Sequence, residues 1–510
     1  MDDHPDAPAV IARAGTLSYR ELDQAADAAC GALWELGLRP GDRVAACLPN
    51  DLDVVVAFHA AMRLAAIWVG IPSALAIPEK VQLLKHSGAR LLLTDPMTAN
   101  KLSEVSAEAA VPPILTVDPH GSENDWGWLI SQGHRAPKIS IDAHAPAAIA
   151  YTSGTTGDPK GIVHSQRNLL LPGRVLTATR RYRCDLRKGD SLPLTILNLM
   201  TLTTLLTAQV GGCAVVMDRR DAIGVVEWIR RHRVTVWNGV PTQLRDLVMR
   251  SDIRRADLSS LSEVWCGGAD LSESLRASFR AKFGLDPRAT YGLTEAPAVV
   301  AIDPPGKASR AGCSGQVLPH LRVTVGAANS PTRLHDDPGE LSISPTMSGE
   351  WRGCYSPMLG YWTGQGIEKT EGPLRTGDLG HLEEGGWLRV VDRKKLIILR
   401  GGANIYPAEV EHVLRNAPGV ADAVVFGLPD QRLGQKVAAL IEPDVSSAAA
   451  QELSIEELRR HCTARLARYK IPDMWALMDV LPRNAMGKVI RAELATVFAA
   501  APRLKRNCGS

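Results

Sequence analysis

The sequence predicts an α/β fold, in which a large N-terminal body of helix-covered sheets with a β-rich part precedes a small mobile α+β domain. Three observations lead to this fold class. Helical patterns alternate with short apolar strands early in the chain, as in parallel sheets between helices. From about residue 312 to 390, short apolar runs lie between Gly, Pro, Ser and Asp clusters, which favours β structure. After residues 392–395 the pattern becomes a compact α+β unit.

The first helix begins at a capping box, in which Ser18 and Glu21 each satisfy a backbone donor of the other, and it ends near Gly37. A buried strand follows at residues 43–48. Further pairs of helix and strand lie at 54–64 with 66–71 and at 79–86 with 90–94. In the C-terminal unit, Pro407 suits the first turn of a helix at 408–416, strands follow at 421–426 and 437–441, and Ser454 opens a second capping box.

Residues 191–217 contain no charged side chain and are long enough to span a bilayer. The stretch nevertheless carries several threonines, Asn198, Gln209 and a Gly211–Gly212 pair. A buried helix, a turn and a core strand fit these residues better than a membrane span does. We therefore predict a protein without a membrane span.

Composition narrows the classes of protein to which this chain can belong. The 58 Lys and Arg residues nearly balance the 55 Asp and Glu residues, a net charge of +3 that argues against a nucleic-acid-binding protein. The nine cysteines never form a C-x-x-C pair, and the first residues lack an apolar signal segment. We expect a cytoplasmic enzyme, monomeric or homodimeric.

Residues 151–161 read Tyr-Thr-Ser-Gly-Thr-Thr-Gly-Asp-Pro-Lys-Gly, between an apolar run at 147–150 and a predicted helix near 164–171. Glycines allow backbone N–H groups to turn onto a polyphosphate, hydroxyls donate further hydrogen bonds and a lysine supplies positive charge. The loop is not a Walker A motif, because Pro159 stands where that motif requires glycine. An ordinary polar turn explains this composition equally well. The candidate phosphate-binding residues are Thr152, Ser153, Gly154, Thr155, Thr156, Gly157 and Lys160.

This loop resembles the signature of the adenylate-forming superfamily, which comprises acyl-CoA and aryl-CoA synthetases, luciferases and the adenylation domains of peptide synthetases. The later motifs of that superfamily follow in the same order, at residues 291–295 (Tyr-Gly-Leu-Thr-Glu), 375–378 (Arg-Thr-Gly-Asp), 392–395 (Asp-Arg-Lys-Lys), 401–411 and 481–488. The resemblance implies a boundary between an adenylate-forming domain at 1–394 and a lid domain at 395–510.

The resemblance also implies a reaction in two halves. A carboxylic acid attacks the α-phosphate of ATP and releases pyrophosphate, and a thiol then displaces AMP from the acyl-adenylate. Lys488 would be the catalytic cation between the carboxylate and the phosphate, Thr294 would help to bind the phosphate, and Glu295 would hold Mg²⁺. Residues for adenine and ribose would be Gly267, Gly268, Ala269, Tyr291, Gly292, Asp378 and Arg393.

In this superfamily the C-terminal domain rotates between the half-reactions, and Lys395 matches the hinge. The thiol arm would pass Gly401, Gly402 and Ala403. Leu396 and Leu399–Arg400 depart from the residues common at these positions in the superfamily.

The segment that follows Asp190 resembles the wall of the acid pocket. No Asp or Glu lies between Asp190 and Asp218, so an amino-acid substrate would lack a partner for its ammonium group. The sequence has Thr195–Ile196 where acyl- and aryl-CoA ligases often have Phe-His, which leaves the gate to the thiol tunnel open to question. The predicted pocket residues are Thr195, Ile196, Asn198, Leu199, Trp237 and Trp265.

The leading expectation is therefore an AMP-forming ligase that joins a small-molecule carboxylic acid to coenzyme A. The runner-up is a stand-alone adenylating enzyme that loads an acyl or aryl acid onto the phosphopantetheine of a carrier protein. A luciferase-like side activity and a catalytically inactive scaffold are further alternatives.

Overall fold

The structure, a computed structural model, describes residues 4–105, 111–118, 121, 124–152, 160–326, 338–401, 403–445, 453–484 and 487–501. Two large sheets form the N-terminal body, and a smaller sheet forms the C-terminal lid. This mixed α/β architecture confirms the predicted fold class.

The strands are numbered in chain order. They are β1 (Pro8–Ala12), β2 (Gly15–Ser18), β3 (Arg43–Cys47), β4 (Ile67–Gly70), β5 (Leu91–Thr94), β6 (Ile114–Thr116), β7 (Pro146–Thr152), β8 (Lys160–Ser165), β9 (Arg187–Asp190), β10 (Cys213–Val216), β11 (Val236–Gly239), β12 (Glu263–Cys266), β13 (Arg288–Tyr291), β14 (Ala301–Ile302), β15 (Gln316–Val317), β16 (Leu321–Val325), β17 (Gly339–Pro345), β18 (Gly360–Trp362), β19 (Ile367–Glu368), β20 (Leu374–Glu383), β21 (Trp387–Arg393), β22 (Ile398–Arg400), β23 (Ala403–Ile405), β24 (Val420–Asp430), β25 (Gly434–Pro443) and β26 (Met474–Leu477).

The α-helices are numbered in the same way. They are α1 (Tyr19–Glu35), α2 (Leu52–Arg63), α3 (Ile77–Ser87), α4 (Pro96–Ser103), α5 (Asp125–Ser131), α6 (Gln166–Arg180), α7 (Leu197–Met200), α8 (Leu206–Ala208), α9 (Ala222–His232), α10 (Pro241–Met249), α11 (Glu273–Phe283), α12 (Pro407–Arg415), α13 (Ile455–Thr463) and α14 (Leu494–Ala500). A π-helical turn, Thr201–Leu205, joins α7 to α8.

Local signals place several of these elements as predicted. At the start of α1 the Glu21 carboxylate accepts from the backbone N–H of Ser18 at 2.8 Å, and the backbone N–H of Glu21 donates to the Ser18 hydroxyl at 3.2 Å. Pro407 opens α12, and Ser454 caps α13. Ser18 and Ser454 satisfy helix-end donors that have no partner within the helix, whereas Pro407 has no N–H that needs one.

The eight-stranded sheet has the order β19-β18-β8-β7-β4-β3-β5-β6. The predicted helix near 164–171 is present as the start of α6, but a strand that was not predicted precedes it. Residues 160–165 form β8, antiparallel to β7, and the helix begins only at Gln166. Ile162 and Val163 are buried between β7 and β18, which favours a strand over a helix at this point. The phosphate-loop segment therefore joins two antiparallel strands, not a strand and a helix.

The thirteen-stranded sheet has the order β16-β17-β20-β21-β15-β14-β13-β12-β11-β9-β10-β1-β2. Strands β10, β9, β11, β12 and β13 are parallel, so their carboxyl ends share one edge. Strands β14 to β17, β20 and β21 extend this sheet, and together with β18 and β19 of the eight-stranded sheet they contain the predicted β-rich part.

The predicted helix, turn and strand within residues 191–217 are all present. Leu197–Ala208 is a buried helical segment with the π-helical turn at its centre, and β10 follows it as a core strand. Among the described residues, no helix combines the length and the apolar character that crossing a bilayer requires.

The lid consists of the sheet β23-β22-β25-β24, with β26 beside β25, and of α12 to α14. A 3₁₀ turn, Lys394–Leu396, separates β21 of the body from β22 of the lid. Asp392 of β21 also contacts the lid, because its carboxylate accepts from the backbone N–H of Ala408 at 2.7 Å, in the first turn of α12.

Candidate active site

The predicted adenine-binding residues lie where the parallel strands end. Gly267, Gly268 and Ala269 follow β12, and Tyr291 ends β13 beside Gly292. The carboxyl ends of parallel strands are the usual place for a ligand in α/β proteins, because the loops diverge there and leave a crevice.

Packing explains why these positions have no side chain. A Cβ on Gly267 would lie 2.2 Å from Oγ1 of Thr290, and one on Gly292 would lie 1.7 Å from the carbonyl oxygen of Ala298. Gly268 has φ +82°, a conformation that non-glycine residues rarely adopt. A side chain at Gly267 or Gly292 would therefore collide with the neighbouring strand or loop.

Asp378 is the centre of the predicted ribose site. It is buried, and its carboxylate accepts from the Tyr291 hydroxyl at 2.6 Å and pairs with Nε of Arg393 at 3.0 Å. Strand register places Asp378 opposite Arg393, since β20 and β21 are antiparallel neighbours. Burial, together with Asp378, raises the pKa of Tyr291, so the hydroxyl remains a donor. The Tyr291 hydroxyl thus positions the carboxylate, a contact that the sequence motif did not indicate.

A histidine that the sequence analysis missed supports the Thr294–Glu295 segment. His164 of β8 is buried, and its Nε2 lies 2.7 Å from the carbonyl oxygen of Thr294. Burial lowers the pKa of His164 to about 4, so the ring is neutral and its Nε2–H donates to that carbonyl. The backbone N–H of Met358 donates to the carbonyl of Glu295 at 3.1 Å. Both bonds hold the segment without using the Glu295 carboxylate.

Lysines that the sequence predicts for the site lie near the Glu295 carboxylate. Lys160 lies at the start of β8 with its Nζ 5.5 Å from the centre of the Tyr361 ring. Burial lowers the pKa of Lys395, and the positive charges of Arg393 and Lys160 lower it further. These three cations are therefore neighbours. Asp378 and Glu295 act on both Lys395 and Lys488, so the described residues of this region contribute four cations and two carboxylates. A site with two excess positive charges attracts a polyphosphate.

Lys488 extends from the lid toward the ends of the body strands. Its turn is held by the Asn484 side chain, which accepts from the backbone N–H of Lys488 at 3.0 Å. A Cβ built on Gly268 would lie 3.7 Å from Cε of Lys488, so this side chain lies over the end of β12. Burial in the cleft and the positive charge of Arg393 lower the pKa of the Lys488 ammonium. The negative charges of Asp378 and Glu295 oppose this shift.

A second contact joins the lid to the body beside Lys488. Nδ1 of His412 lies 3.6 Å from a carboxylate oxygen of Asp270, and both side chains are solvent-exposed. The hydrogen bond with Asp270 raises the pKa of His412. The lid therefore lies with its lysine toward the predicted nucleotide residues.

Some predicted site residues lie outside the described part of the chain. They are Ser153, Gly154, Thr155, Thr156, Gly157 and Gly402. Of the phosphate loop the structure shows Thr152 at the end of β7 and Lys160 at the start of β8. Gly401 and Ala403 flank the turn between β22 and β23, and the backbone N–H of Gly401 donates to the carbonyl of Leu433 within the lid.

The predicted acid-pocket residues divide between two faces of the large sheet. Trp265 of β12 lies on the face covered by α6 and the π-helical turn, and Thr195 is buried just after β9. Ile196 and Leu199 pack in the neighbouring core, and Asn198 is partly buried beside them. Trp237 of β11 packs on the opposite face with Leu244. Because neighbouring strand residues point to opposite faces, Trp237 is separated from this pocket wall.

Comparison with known proteins identifies the family. The AMP-binding enzyme model matches residues 1–362, and the model of the AMP-binding enzyme C-terminal domain matches residues 409–488. The chain belongs to the AMP-binding enzyme family. Membership confirms the predicted adenylate-forming superfamily and the class of AMP-forming ligases.

Several AMP-binding enzymes align over nearly the whole chain. The long-chain-fatty-acid–CoA ligase FadD13 of Mycobacterium tuberculosis is 30% identical, over 95% of this chain and 93% of its own length. The fatty acid–[acyl-carrier-protein] ligase ScoC of Streptomyces coeruleorubidus is 31% identical, over 97% and 94%. The crystal structure of ATP-bound MatB from Rhodopseudomonas palustris is 25% identical, covers 98% of this chain and 97% of its own, and superposes with a TM-score of 0.86.

Proposed function

We propose that the chain activates a carboxylic acid with ATP and transfers the acyl group to the thiol of coenzyme A. The observation that carries this proposal is the convergence of Lys488, Asp378 and Glu295 on the ends of β12 and β13, although they come from the lid, the β-rich part and the body. Lys488 is near both carboxylates, which are among the charges that act on its pKa.

The first half-reaction brings a carboxylate and a phosphate, both negative, into contact. A site must therefore supply positive charge along the path of attack, placed before the reaction begins. Lys488 of the lid lies over the end of β12 and would bridge the attacking carboxylate and the α-phosphate. Lys160 and Lys395 would hold the leaving pyrophosphate, and the proposed acceptor for the ribose hydroxyls is Asp378, which Tyr291 and Arg393 hold in place.

The residues present suit Mg²⁺ bound mainly through substrate. Magnesium is commonly held by one or two carboxylates together with phosphate oxygens. Within the described residues the Glu295 carboxylate forms no ion pair, and no group of three His, Cys, Asp or Glu could hold a metal ion there. Glu295 would supply the protein ligand, and the bound ion would screen the phosphate charges.

The second half-reaction calls for a different face of the lid. In the present arrangement Lys488 faces the nucleotide residues, and the contacts of Gly401 lie within the lid. A rotation at Lys395, in the 3₁₀ turn between the two sheets, would withdraw the lysine and bring the turn at Gly401 toward the acyl-adenylate. Thiolate attack on the adenylate carbonyl would then form the thioester and release AMP.

Amino acids remain poor candidates as substrates, although Asp190 lies on the pocket face. Its carboxylate already accepts from the backbone N–H of Leu192 at 3.0 Å, from Nδ2 of Asn238 at 3.1 Å and from the Thr203 hydroxyl at 3.3 Å. An ammonium group would have to displace these donors.

A carrier protein is the second candidate acceptor. ScoC, as similar to this chain as FadD13, is named for such an acceptor. Pyrophosphate release across a panel of aliphatic, aromatic and alicyclic acids tests the adenylation step. The same acids are then supplied with CoA or with a phosphopantetheinylated carrier protein. Thioester formation with CoA supports the proposal, transfer to the carrier alone favours the alternative, and the absence of pyrophosphate with every acid contradicts both.

A further inference from the structure

The peptide group that joins Gly487 to Lys488 is held by a side chain at each of its two polar ends. Its N–H, which belongs to Lys488, donates to Oδ1 of Asn484 at 3.0 Å. Its carbonyl, which belongs to Gly487, accepts from Nη1 of Arg483 at 3.1 Å. The backbone N–H of Gly487 also donates to the carbonyl of Asn484 at 2.8 Å. The Lys488 side chain therefore starts from a peptide plane whose orientation is fixed.

This turn also lies against the body. Gly487 has φ +73°, and a Cβ there would lie 3.4 Å from Oγ1 of Thr242, in the first turn of α10. A larger residue would be strained by this backbone conformation and would press on the body. The turn thus packs against α10, while Arg483 bonds it from within the lid.

Arg483 is anchored on two carboxylates that strand register places side by side. Asp422 of β24 is opposite Glu442 of β25 in the lid sheet. Like charges directly opposite one another destabilise a pair of strands, so this pair needs a cation. Nη2 of Arg483 supplies it, at 2.5 Å from Oδ2 of Asp422 and 3.3 Å from Oε2 of Glu442.

The anchor is charged at neutral pH. Burial opposes ionisation of Asp422, but Arg415 and Arg483 lower the pKa of its carboxyl to about 2. Nε of Arg415 lies 2.6 Å from Oδ1 of Asp422, so each carboxylate oxygen is paired with one arginine. All three side chains are mostly buried, and exclusion of water strengthens their pairing.

A guanidinium suits this position because its donors point in fixed and different directions. Nη2 is used on the carboxylates, which leaves Nη1 for the Gly487 carbonyl. An ammonium is a point charge on a flexible stem, so a lysine here would pair with the carboxylates without also fixing the carbonyl. Lys488 has such a flexible stem itself, and its placement therefore depends on the peptide from which it extends.

We propose that Arg483 is a positioning residue for adenylation. From its anchor on Asp422 and Glu442 it fixes the Gly487 carbonyl, and with it the point from which Lys488 extends over the nucleotide residues. This inference rests on the proposed function, in which Lys488 acts in the first half-reaction. A misplacement of about 1 Å at a reacting group can lower a rate about 100-fold, so a bond outside the site affects the reaction.

Arg491 is a matched arginine elsewhere in the lid. It too joins a carboxylate to a backbone carbonyl, with Nη2 2.7 Å from Oε1 of Glu411 and Nη1 2.9 Å from the carbonyl oxygen of Val425. Val425 belongs to β24 and not to the turn of Lys488. Arg483→Lys and Arg491→Lys therefore make the same chemical change with and without a bond to that turn.

The two half-reactions are measured separately in these variants, with the acid that the wild-type enzyme adenylates fastest in the panel above. We expect Arg483→Lys to lower kcat for pyrophosphate release about 10-fold with little change in the KM for ATP. Thioester formation from the preformed acyl-adenylate should stay within about twofold, and Arg491→Lys should keep both rates near wild type. Wild-type adenylation in Arg483→Lys, equal loss of both half-reactions, or an equal loss of adenylation in Arg491→Lys would overturn the inference.

The pH profile of adenylation gives a readout that a less stable lid would not move. Burial in the cleft lowers the pKa of Lys488, so a lysine that is no longer fixed there regains water and its pKa rises toward 10.5. The alkaline decline should therefore move to higher pH in Arg483→Lys and stay in place in Arg491→Lys. A decline that does not move in Arg483→Lys contradicts the positioning role.

Glu442→Gln decides the question if Arg483→Lys does not fold. It removes one charge of the anchor, and it should lower adenylation about threefold without changing thioester formation. Unchanged adenylation in this variant would contradict the inference and leave the proposed function intact. The absence of pyrophosphate with every acid in the unmodified enzyme would instead contradict the proposed function, and the inference with it.

Discussion

The carboxyl ends of the parallel strands and the interior of the same large sheet beside Trp265 hold cations in opposite surroundings. At the strand ends Lys488 is reached by solvent and faces carboxylates from other elements. In the interior, Lys188 is fully buried, and its Nζ lies 4.5 Å from the ring centre of Trp265 with no hydrogen-bond acceptor among the described residues. The first cation suits a reaction in which charge moves, whereas the second is enclosed by protein.

This difference shows that one sheet can hold one cation at a ligand site and another within its own core. Under the proposed function, groups at the strand ends act on atoms common to every substrate, namely the carboxylate, the phosphates and the ribose. Lys188 lies among buried side chains and would not contact these atoms. Changes at the two places should therefore alter different quantities, the reaction rate at the strand ends and the stability of the fold in the interior.

The largest expected effect is at the nucleotide end. Lys488→Ala should lower the rate of adenylation by about 10²–10³-fold, the usual loss on removing one electrostatic contact to the transition state. Thioester formation from preformed acyl-adenylate should be nearly unchanged, because we propose that this step uses another face of the lid. Lys394→Ala, which removes an exposed lysine paired with Glu340, is the control. Equal loss of both half-reactions in Lys488→Ala would contradict rotation of the lid.

The rate of adenylation should decline at alkaline pH, and we expect Lys488 to cause that decline. The pKa of Lys488 is lowered from its ordinary value of 10.5, so adenylation should fall as pH rises through that lowered pKa. Above it, loss of the ammonium gives about a tenfold decrease per pH unit. Lys488→Arg should remove this decline at a lower overall rate, and Lys395→Arg should retain it. An unchanged decline in Lys488→Arg would assign it to another group.

A smaller effect is expected from removing the hydroxyl group that positions Asp378 in the proposed ribose site. Tyr291→Phe removes the donor that lies 2.6 Å from the Asp378 carboxylate, and it should raise the KM for ATP about tenfold with little change in kcat. Tyr355→Phe is the matched control, because the buried Tyr355 hydroxyl has no partner among the described residues. A similar KM in both variants would contradict the positioning role of Tyr291.

The smallest effect concerns the exposed contact between lid and body. His412→Gln should change the adenylation rate by less than about threefold, since exposed ion pairs contribute little. The pKa of His412 is raised, so the contact is charged below that pKa and is lost as pH rises through it. The effect of the substitution should therefore be seen at pH 6 and vanish at pH 9. His144→Gln, at an exposed site on the body, is the control, and a larger effect at pH 9 would contradict this account.

The parts of the site that sequence predicts are those encoded by residues close together in the chain. Tyr291, Asp378 and Lys488 each lie in a short motif, so their roles could be proposed without a fold. Lys188 has no such motif, because Arg-Lys-Gly-Asp reads as a polar segment and only parallel pairing makes it a buried strand.

Alternation within a strand was an available signal that the sequence analysis did not use. Trp237 and Asn238 are adjacent in β11 and cannot face the same pocket. Only Asn238 shares the face of Asp190. The strand β8, which precedes the predicted helix, was missed for a similar reason, since His164 and Ser165 obscure the apolar pair Ile162 and Val163 that pairs with β7.

The bond between Asp392 and the N–H of Ala408 crosses the proposed pivot, because Asp392 precedes Lys395 and Ala408 follows it. Any large rotation at Lys395 must break that bond and return both groups to water. A contact at the start of a helix is typically worth about 1 kcal/mol, which corresponds to about a fivefold change in an equilibrium constant. Asp392 would thus govern how long each orientation of the lid lasts, and a change there would alter the timing of the two half-reactions without touching a reacting atom.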